Sequence, residues 1–506
     1  MSDSKRIIKN SIFLYIRMLL LMAIGFYTTR VILEALGIED LGIYNVVGSL
    51  VLMFDFVSSG LTGATQRFLN IGIGKKNFAL TNQYFSQSFY LHILFTIILI
   101  LLLETIGLWF VENKLIIPES RLNAAIFVFH LSTLSLALRI IRICFESVII
   151  AHEKMSIYAY LSIFEAVSKL LICFAVIYYA EFDKLILYAF FLMLVNLLLT
   201  AFNIIYCLIK YSETKVKWFY DRCLYRELLS FIGLNSWGVV AWALGKQGIN
   251  IIINMFFGPI VNGAKSIASN LERVVIQFGS NMELAVRPQI TKLYAEDKSE
   301  EMVNLGMKST KFIFYVMLII SIPFLFQTEG ILNIWLKSNP PYTIALVRIM
   351  IIESLVYGIG SNFYNVILAT GNIKKVQIIG RIITLSSLPL SYIIIQVWHN
   401  EYVPSLVLAF TSLLYSLYIV YDANQKLKFG INVFYKKVYT PIIIVSVISI
   451  LGCVLLNLLE LDFPLFISCI FKSLILCLYT ILVILLLGIN PKERIYLYNL
   501  VKKKLR

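Results

Sequence analysis

The sequence predicts an all-α polytopic membrane protein with about fourteen transmembrane helices. Three observations carry that prediction. The chain of 506 residues is 59% hydrophobic and 14% charged, with a mean hydropathy of +0.83, which a soluble domain of this size does not tolerate. Apolar runs of about twenty residues, long enough to cross a hydrocarbon core of roughly 30 Å as helices, recur over nearly the whole length. Lys and Arg concentrate in alternate connections between those runs, the bias expected when cytoplasmic loops retain positive charge.

The runs fall near residues 11–33, 43–63, 85–109, 123–143, 157–178, 185–209, 228–256, 260–286, 312–330, 344–369, 376–397, 403–421, 440–459 and 464–488. The first is full length, shows no signal-peptide cleavage pattern and leads straight into the second, so it reads as a retained helix. With the amino terminus cytoplasmic, the inside segments hold Lys5, Arg6 and Lys9, then Arg67, Lys75 and Lys76, then Arg139, Arg142 and Lys154, then Lys210, Lys215, Lys217, Arg222 and Arg226. Outside stand Arg30, Lys114, Arg121, Lys184 and Lys337. Both termini are thus expected in the cytoplasm. The net charge of +15 reflects this topology, and the basic tail of Lys502, Lys503, Lys504 and Arg506 is assigned to anionic lipid headgroups, with no nucleic acid partner. Trp109, Trp218, Trp335 and Trp398 lie near span ends, where an indole gains by sitting at headgroup level.

The second and eighth runs reveal an internal repeat. GIEDLGIY at 37–44 precedes one and GPIVNGAK at 258–265 precedes the other, a shift of 221 positions that both glycines keep. Six spans then fall in each copy. Six is even, so the copies enter the membrane in the same orientation and form parallel repeats. The expected division is a first lobe at 1–224, a second at 225–425, and a helix pair with the basic tail at 426–506.

Catalysis finds no support. The seven cysteines lack CxxC spacing, the four histidines are scattered, and HExxH, GxSxG, Walker A and dinucleotide fingerprints are absent. The loops are too short for a soluble catalytic domain, so neither an enzyme nor a cofactor is expected.

Charge inside the spans points to transport instead. In the eighth run Lys265, Ser269, Glu272, Arg273, Gln277, Ser280, Glu283 and Arg287 recur at three- and four-residue steps and share one arc. The opposite arc carries Ile267, Leu271, Val275, Phe278, Met282 and Ala285. A charge at bilayer depth costs a few kcal/mol or more unless it faces a bundle interior or a wet cavity, so this helix is expected to wall a hydrophilic vestibule. The seventh run aligns Asn235, Trp242, Lys246, Asn250 and Asn254, and the first run adds Arg17. Arg17, Lys246, Lys265 and Arg273, with Asn250 and Trp242, are the candidate substrate-binding residues. Structural alternatives stand beside them: Arg273 pairing with Glu272 or Glu283, and Lys265 and Arg287 snorkelling to the interfaces. Asp55, on the arc of Asn45, Gly48, Ser59 and Thr62, is a charge partner or a proton carrier, and Glu272 belongs to the same class. Glu165 and Lys169, one turn apart, read as an internal ion pair.

Several of these residues also carry a resemblance. Arg17, RVILEALG at 30–37, GIYNVV at 42–47 and ATQRF at 64–68 resemble the polysaccharide-export flippases of the Wzx type, in the multidrug/oligosaccharidyl-lipid/polysaccharide (MOP) superfamily. RPQITKLYA at 287–295 resembles that superfamily's cytoplasmic loop after span eight. The resemblance implies a bacterial inner-membrane protein that moves an undecaprenyl-diphosphate-linked oligosaccharide, such as an O-antigen (lipopolysaccharide) or capsule repeat unit, from the cytoplasmic to the periplasmic leaflet by alternating access. It implies a polysaccharide polymerase and a chain-length regulator as partners, besides membrane lipids. The lipid II flippases share the fourteen-span plan, with basic residues of spans one and eight facing the cavity and the extra helix pair forming a groove for the polyprenyl tail. The four cations suit a diphosphate, since Arg offers a planar fork to phosphate oxygens and Lys a point charge. The alternatives are a lipid II flippase or a multidrug or cation antiporter of the same superfamily, whose cavity is expected to be lined by carboxylates.

Overall fold

A computed structural model describes residues 3–152, 154–179, 181–218, 221–458, 464–490 and 494. Within these it does not describe the side chains of residues 3–19, 231, 234–239, 242 and 285. In chain order the helices are α1 (Asp3–Leu52), α2 (Asp55–Gly74), α3 (Phe78–Leu102), α4 (Leu108–Asn113), α5 (Glu119–Ala151), α6 (Met155–Tyr178), α7 (Lys184–Lys210), α8 (Arg222–Phe257) and α9 (Pro259–Ala295). There follow α10 (Ser299–Phe326), α11 (Thr328–Leu336), α12 (Thr343–Ala369), α13 (Lys374–Leu385), α14 (Ser387–Val397), α15 (Val403–Leu427), α16 (Ile431–Phe434), α17 (Thr440–Asn457) and α18 (Leu465–Val483). Among the described residues, 11 helical segments are long and apolar enough to cross a membrane. Expected spans two and eight are not among them, because α2 and α9 are diluted by polar residues, while expected span seven lies partly outside the described residues.

The chain forms two compact units, Met1–Gly263 and Ala264–Arg506. In the first, α1 bends at Gly37 (φ 77, ψ 173) and α8 ends at Gly258 (φ 77, ψ −173), a conformation that L side chains rarely adopt. Five residues beyond each bend the backbones nearly touch. A Cβ on Gly42 would lie 1.8 Å from the Pro259 carbonyl oxygen, and one on Gly263 would lie 2.5 Å from that of Ile38. Lipid offers little hydrophobic drive for helix association, so small residues that admit close backbone approach are how such helices pack.

Packing of α8 on α1 and α2 places it with the first unit. The core there runs through α1, α2, α3, α5 and α7, with Val47, Val128, Phe129 and Leu185 fully enclosed. Expected span two is broken: α1 ends at Leu52 and α2 starts at Asp55. A further departure concerns α5, whose 33 residues at about 1.5 Å each exceed the hydrocarbon thickness. Arg139 and Arg142, counted with an inside connection in the sequence and also within the expected run 123–143, lie within this helix.

In the second unit α12 packs between α10 and α15. Asn362, fully buried, donates to Ser309 Oγ and Thr310 Oγ1, both at 2.9 Å, a polar link between α12 and α10 where no water competes. Residues 287–295, expected as a loop, are the last turns of α9, which continues through Pro288.

Candidate functional site

Two candidate residues on α8 share a face with a polar ladder in the first unit. Asn250 donates to Ser49 Oγ of α1 and to Gln247 Oε1, both at 3.0 Å, and its carbonyl accepts from Asn262 Nδ2 at 2.7 Å. Its side-chain amide thus ties α8 to α1, and its backbone carbonyl ties α8 to the start of α9. Lys246, one turn earlier, is half-buried. Asn254, fully buried, accepts from Ile116 N at 2.9 Å and donates to Ile116 O at 3.3 Å, fixing the α4–α5 connection. The side chains of Arg17, Trp242 and Asn235 lie outside the described residues.

The broken span puts Asp55 in the first turn of α2, where the helix dipole favours an anion. Arg139 Nη1 stands 3.3 Å from its Oδ1, a charge contact without hydrogen-bond geometry. One turn along α5, Arg142 lies 3.1 Å from Glu146 and 3.6 Å from Glu165, and Lys169 donates to Glu165 at 2.9 Å. Three carboxylates and three cations from α2, α5 and α6 therefore neutralise one another. Arg142, its side chain 7% exposed, is the desolvated member, and a buried charge persists only when paired.

At the other end of α5, Arg121 forks between Asp40 and Asp183. Its Nε donates to Asp40 Oδ1 at 2.8 Å, its Nη2 to Asp40 Oδ2 at 2.6 Å, and its Nη1 to Asp183. Asp183 also caps α7 by accepting from Leu185 N and Ile186 N. Burial pushes its carboxyl up, but the Arg121 guanidinium and the two amides outweigh burial and hold it below its ordinary value of 3.8.

The expected polar arc of α9 divides in the second unit. Lys265 and Glu272 are buried, at 4% and 3% exposure, beside Ile267 and Leu271. Arg273 is exposed and, among the described residues, pairs with neither Glu272 nor Glu283. Glu283 instead accepts from the Ser361 hydroxyl of α12. On the arc expected to be apolar, Ile267, Leu271 and Val275 are buried but Phe278 is 42% exposed. Arg348 donates to Thr328 Oγ1 at 3.3 Å, while Glu353 accepts from Ser412 Oγ at 2.7 Å.

Sequence reasoning missed three functional candidates. Arg139 and Arg142 were hidden by assignment to a connection, although Arg142 and Glu146 show the i, i+4 spacing of a helical ion pair. Arg381 lies inside the expected span 376–397, where a lone cation in an apolar run is itself the signal.

The fold is shared with solved structures. A lipid II flippase, MurJ, in an inward closed conformation superposes with a TM-score of 0.69 at 15% identity, covering 94% of this chain and 98% of that one. An inward-facing multidrug resistance MATE family transporter of the MOP superfamily gives 0.68 at 11% identity, covering 81% and 94%. A MOP superfamily transporter from Pyrococcus furiosus, described by the reverse polarity of its binding pocket, gives 0.59 at 12% identity, covering 83% and 96%. No protein-family model and no curated protein matches the sequence. At such identities the likeness is one of architecture: the chain has the fold of the MOP superfamily transporters.

Proposed function

We propose that this chain is a lipid-linked oligosaccharide flippase of the Wzx kind. It carries undecaprenyl-diphosphate-linked polysaccharide repeat units from the cytoplasmic to the periplasmic leaflet by alternating access. In this reading the protein has fourteen spans and cytoplasmic termini, with lobes at 1–224 and 225–425 and the last pair and tail at 426–506. Polysaccharide polymerase and chain-length regulator proteins are its partners. Basic side chains, Arg273 and Lys246 foremost, neutralise the diphosphate while the polyprenyl tail stays in lipid.

The observation that supports this reading is an asymmetry of charge pairing. Asp55, Glu146 and Glu165 are each taken up by Arg or Lys, whereas Arg273 keeps no carboxylate among the described residues. The unneutralised charge at Arg273 is positive, which suits an anionic headgroup and repels a cationic drug. One observation favours the second reading, a multidrug or cation antiporter: Glu283 is held by a serine and no cation. A deletion strain carrying the Lys246→Ala/Arg273→Ala protein separates the two. Loss of surface glycan, with the variant still in the membrane and drug susceptibility unchanged, is the expected result; normal glycan display sinks the flippase.

A further inference from the structure

Where α9 and α12 end and α13 begins, the second unit gathers groups that no ion pair consumes. Tyr294 of α9 donates to Thr370 O, just past α12, at 3.5 Å. On α13, Gln377 Nε2 donates to the Tyr364 hydroxyl of α12 at 2.7 Å, and Gln377 Oε1 accepts from Arg381 Nε at 3.4 Å. Next to Arg381 the helices come close: a Cβ on Gly380 would lie 2.8 Å from the Tyr415 ring of α15. Arg287 of α9 and Arg381 both lie near enough to act electrostatically on the Tyr364 hydroxyl, and Arg381 on that of Tyr415 as well.

The arginines differ from those of the first unit. Arg121, Arg139 and Arg142 all contact carboxylates. Among the described residues neither Arg287 nor Arg381 does, and the two terminal nitrogens of Arg381 donate to nothing. The nearest carboxylate along α9, Glu283, is engaged by Ser361. Arg381 is half-exposed, and its unused terminal nitrogens present the fork that a pair of phosphate oxygens takes bidentately.

We propose that Arg287, Arg381 and Tyr364 form a docking site for a diphosphate group. Arg381 presents its terminal nitrogens bidentately, Arg287 supplies a second cation from the facing helix, and the Tyr364 hydroxyl, its lone pair taken by Gln377, donates its proton to a phosphate oxygen. The chemistry is that of a diphosphate, whether free or on a lipid. Its place as the point where a lipid-linked headgroup first docks rests on the flippase reading. Arg273 lies fourteen residues before Arg287 on nearly the same helix face, about 21 Å along α9, which makes the two successive stations.

The test uses the full chain in lipid nanodiscs, with inorganic pyrophosphate and farnesyl diphosphate as calorimetric probes. Arg287→Gln/Arg381→Gln is expected to weaken farnesyl diphosphate binding about tenfold or more, Tyr364→Phe by a few-fold, and Arg273→Gln by less than that. Equal losses for both probes assign the site to the diphosphate itself, and a loss confined to the farnesyl compound assigns it to a lipid-borne headgroup. Should the double variant lose its melting transition, Arg381→Lys keeps the charge and removes the fork, and is expected to lose binding too. Unchanged affinity in the double variant, or no binding of either probe by the unaltered protein, overturns the site. Glycan display in the Lys246→Ala/Arg273→Ala strain is a separate readout, so the flippase reading can survive that failure or fall without it.

Discussion

Gly37 and Gly258, 221 positions apart, share one backbone conformation, φ 77 with ψ 173 in the first and φ 77 with ψ −173 in the second. Both lie where one long helix gives way to the next. Since that region is essentially closed to residues with a Cβ, Gly37→Ala and Gly258→Ala are each expected to cost roughly 1–3 kcal/mol, read as lower melting temperatures in detergent. Similar losses at the two sites are the specific expectation.

Gly42 and Gly263 are constrained by space and not by dihedral angle. A methyl group at Gly42 would meet the Pro259 carbonyl, so Gly42→Ala must push two backbones apart and is expected to destabilise by about 1–3 kcal/mol or more. Gly48, with nothing within 4 Å of its virtual Cβ, serves as the control. Gly48→Ala should be neutral or stabilise by up to about 1 kcal/mol, through helix propensity alone.

The charge cluster on α2, α5 and α6 should respond unevenly. The Arg142 side chain is 7% exposed and touches two carboxylates, of which Glu165 also keeps Lys169, so Arg142→Ala is expected to cost about 1.5–3 kcal/mol. Asp55 and Arg139 are 34% and 42% exposed, and a double-mutant cycle across them should return no more than about 1 kcal/mol. Chemical unfolding of the single and double variants checks both figures.

Acidification should loosen the Arg121 clamp. Asp183 titrates below its ordinary value in the folded protein, so its contribution is fully present above pH 3.8 and is lost as pH falls through the lower folded value. Asp183→Asn is therefore expected to lower the melting temperature at neutral pH and to flatten its decline at the acid end. Melting curves recorded across that range in both proteins decide it.

Much of this was legible in the chain. Helical class follows from apolar runs alone, and the paired glycines could be found because a backbone requirement for glycine leaves its mark at single positions. Side-chain direction was less accessible. Periodicity put Lys265, Glu272 and Arg273 on one arc, yet neighbouring helices cover the first two and leave the third open, since burial is decided by what packs against a helix. Arg381 and Tyr364 meet only through the turn between α12 and α13, a juxtaposition that no spacing within either helix records.

The close approach beyond the paired bends is reciprocal. Gly42 meets Pro259, Gly263 meets Ile38, and Ile38 and Pro259, like the two glycines, stand 221 positions apart. A contact in which each partner offers the other its own counterpart is the hallmark of an isologous dimer. Within the first unit the crossing is thus pinned at two points, and a side chain added at either glycine bears on the same pair of backbones.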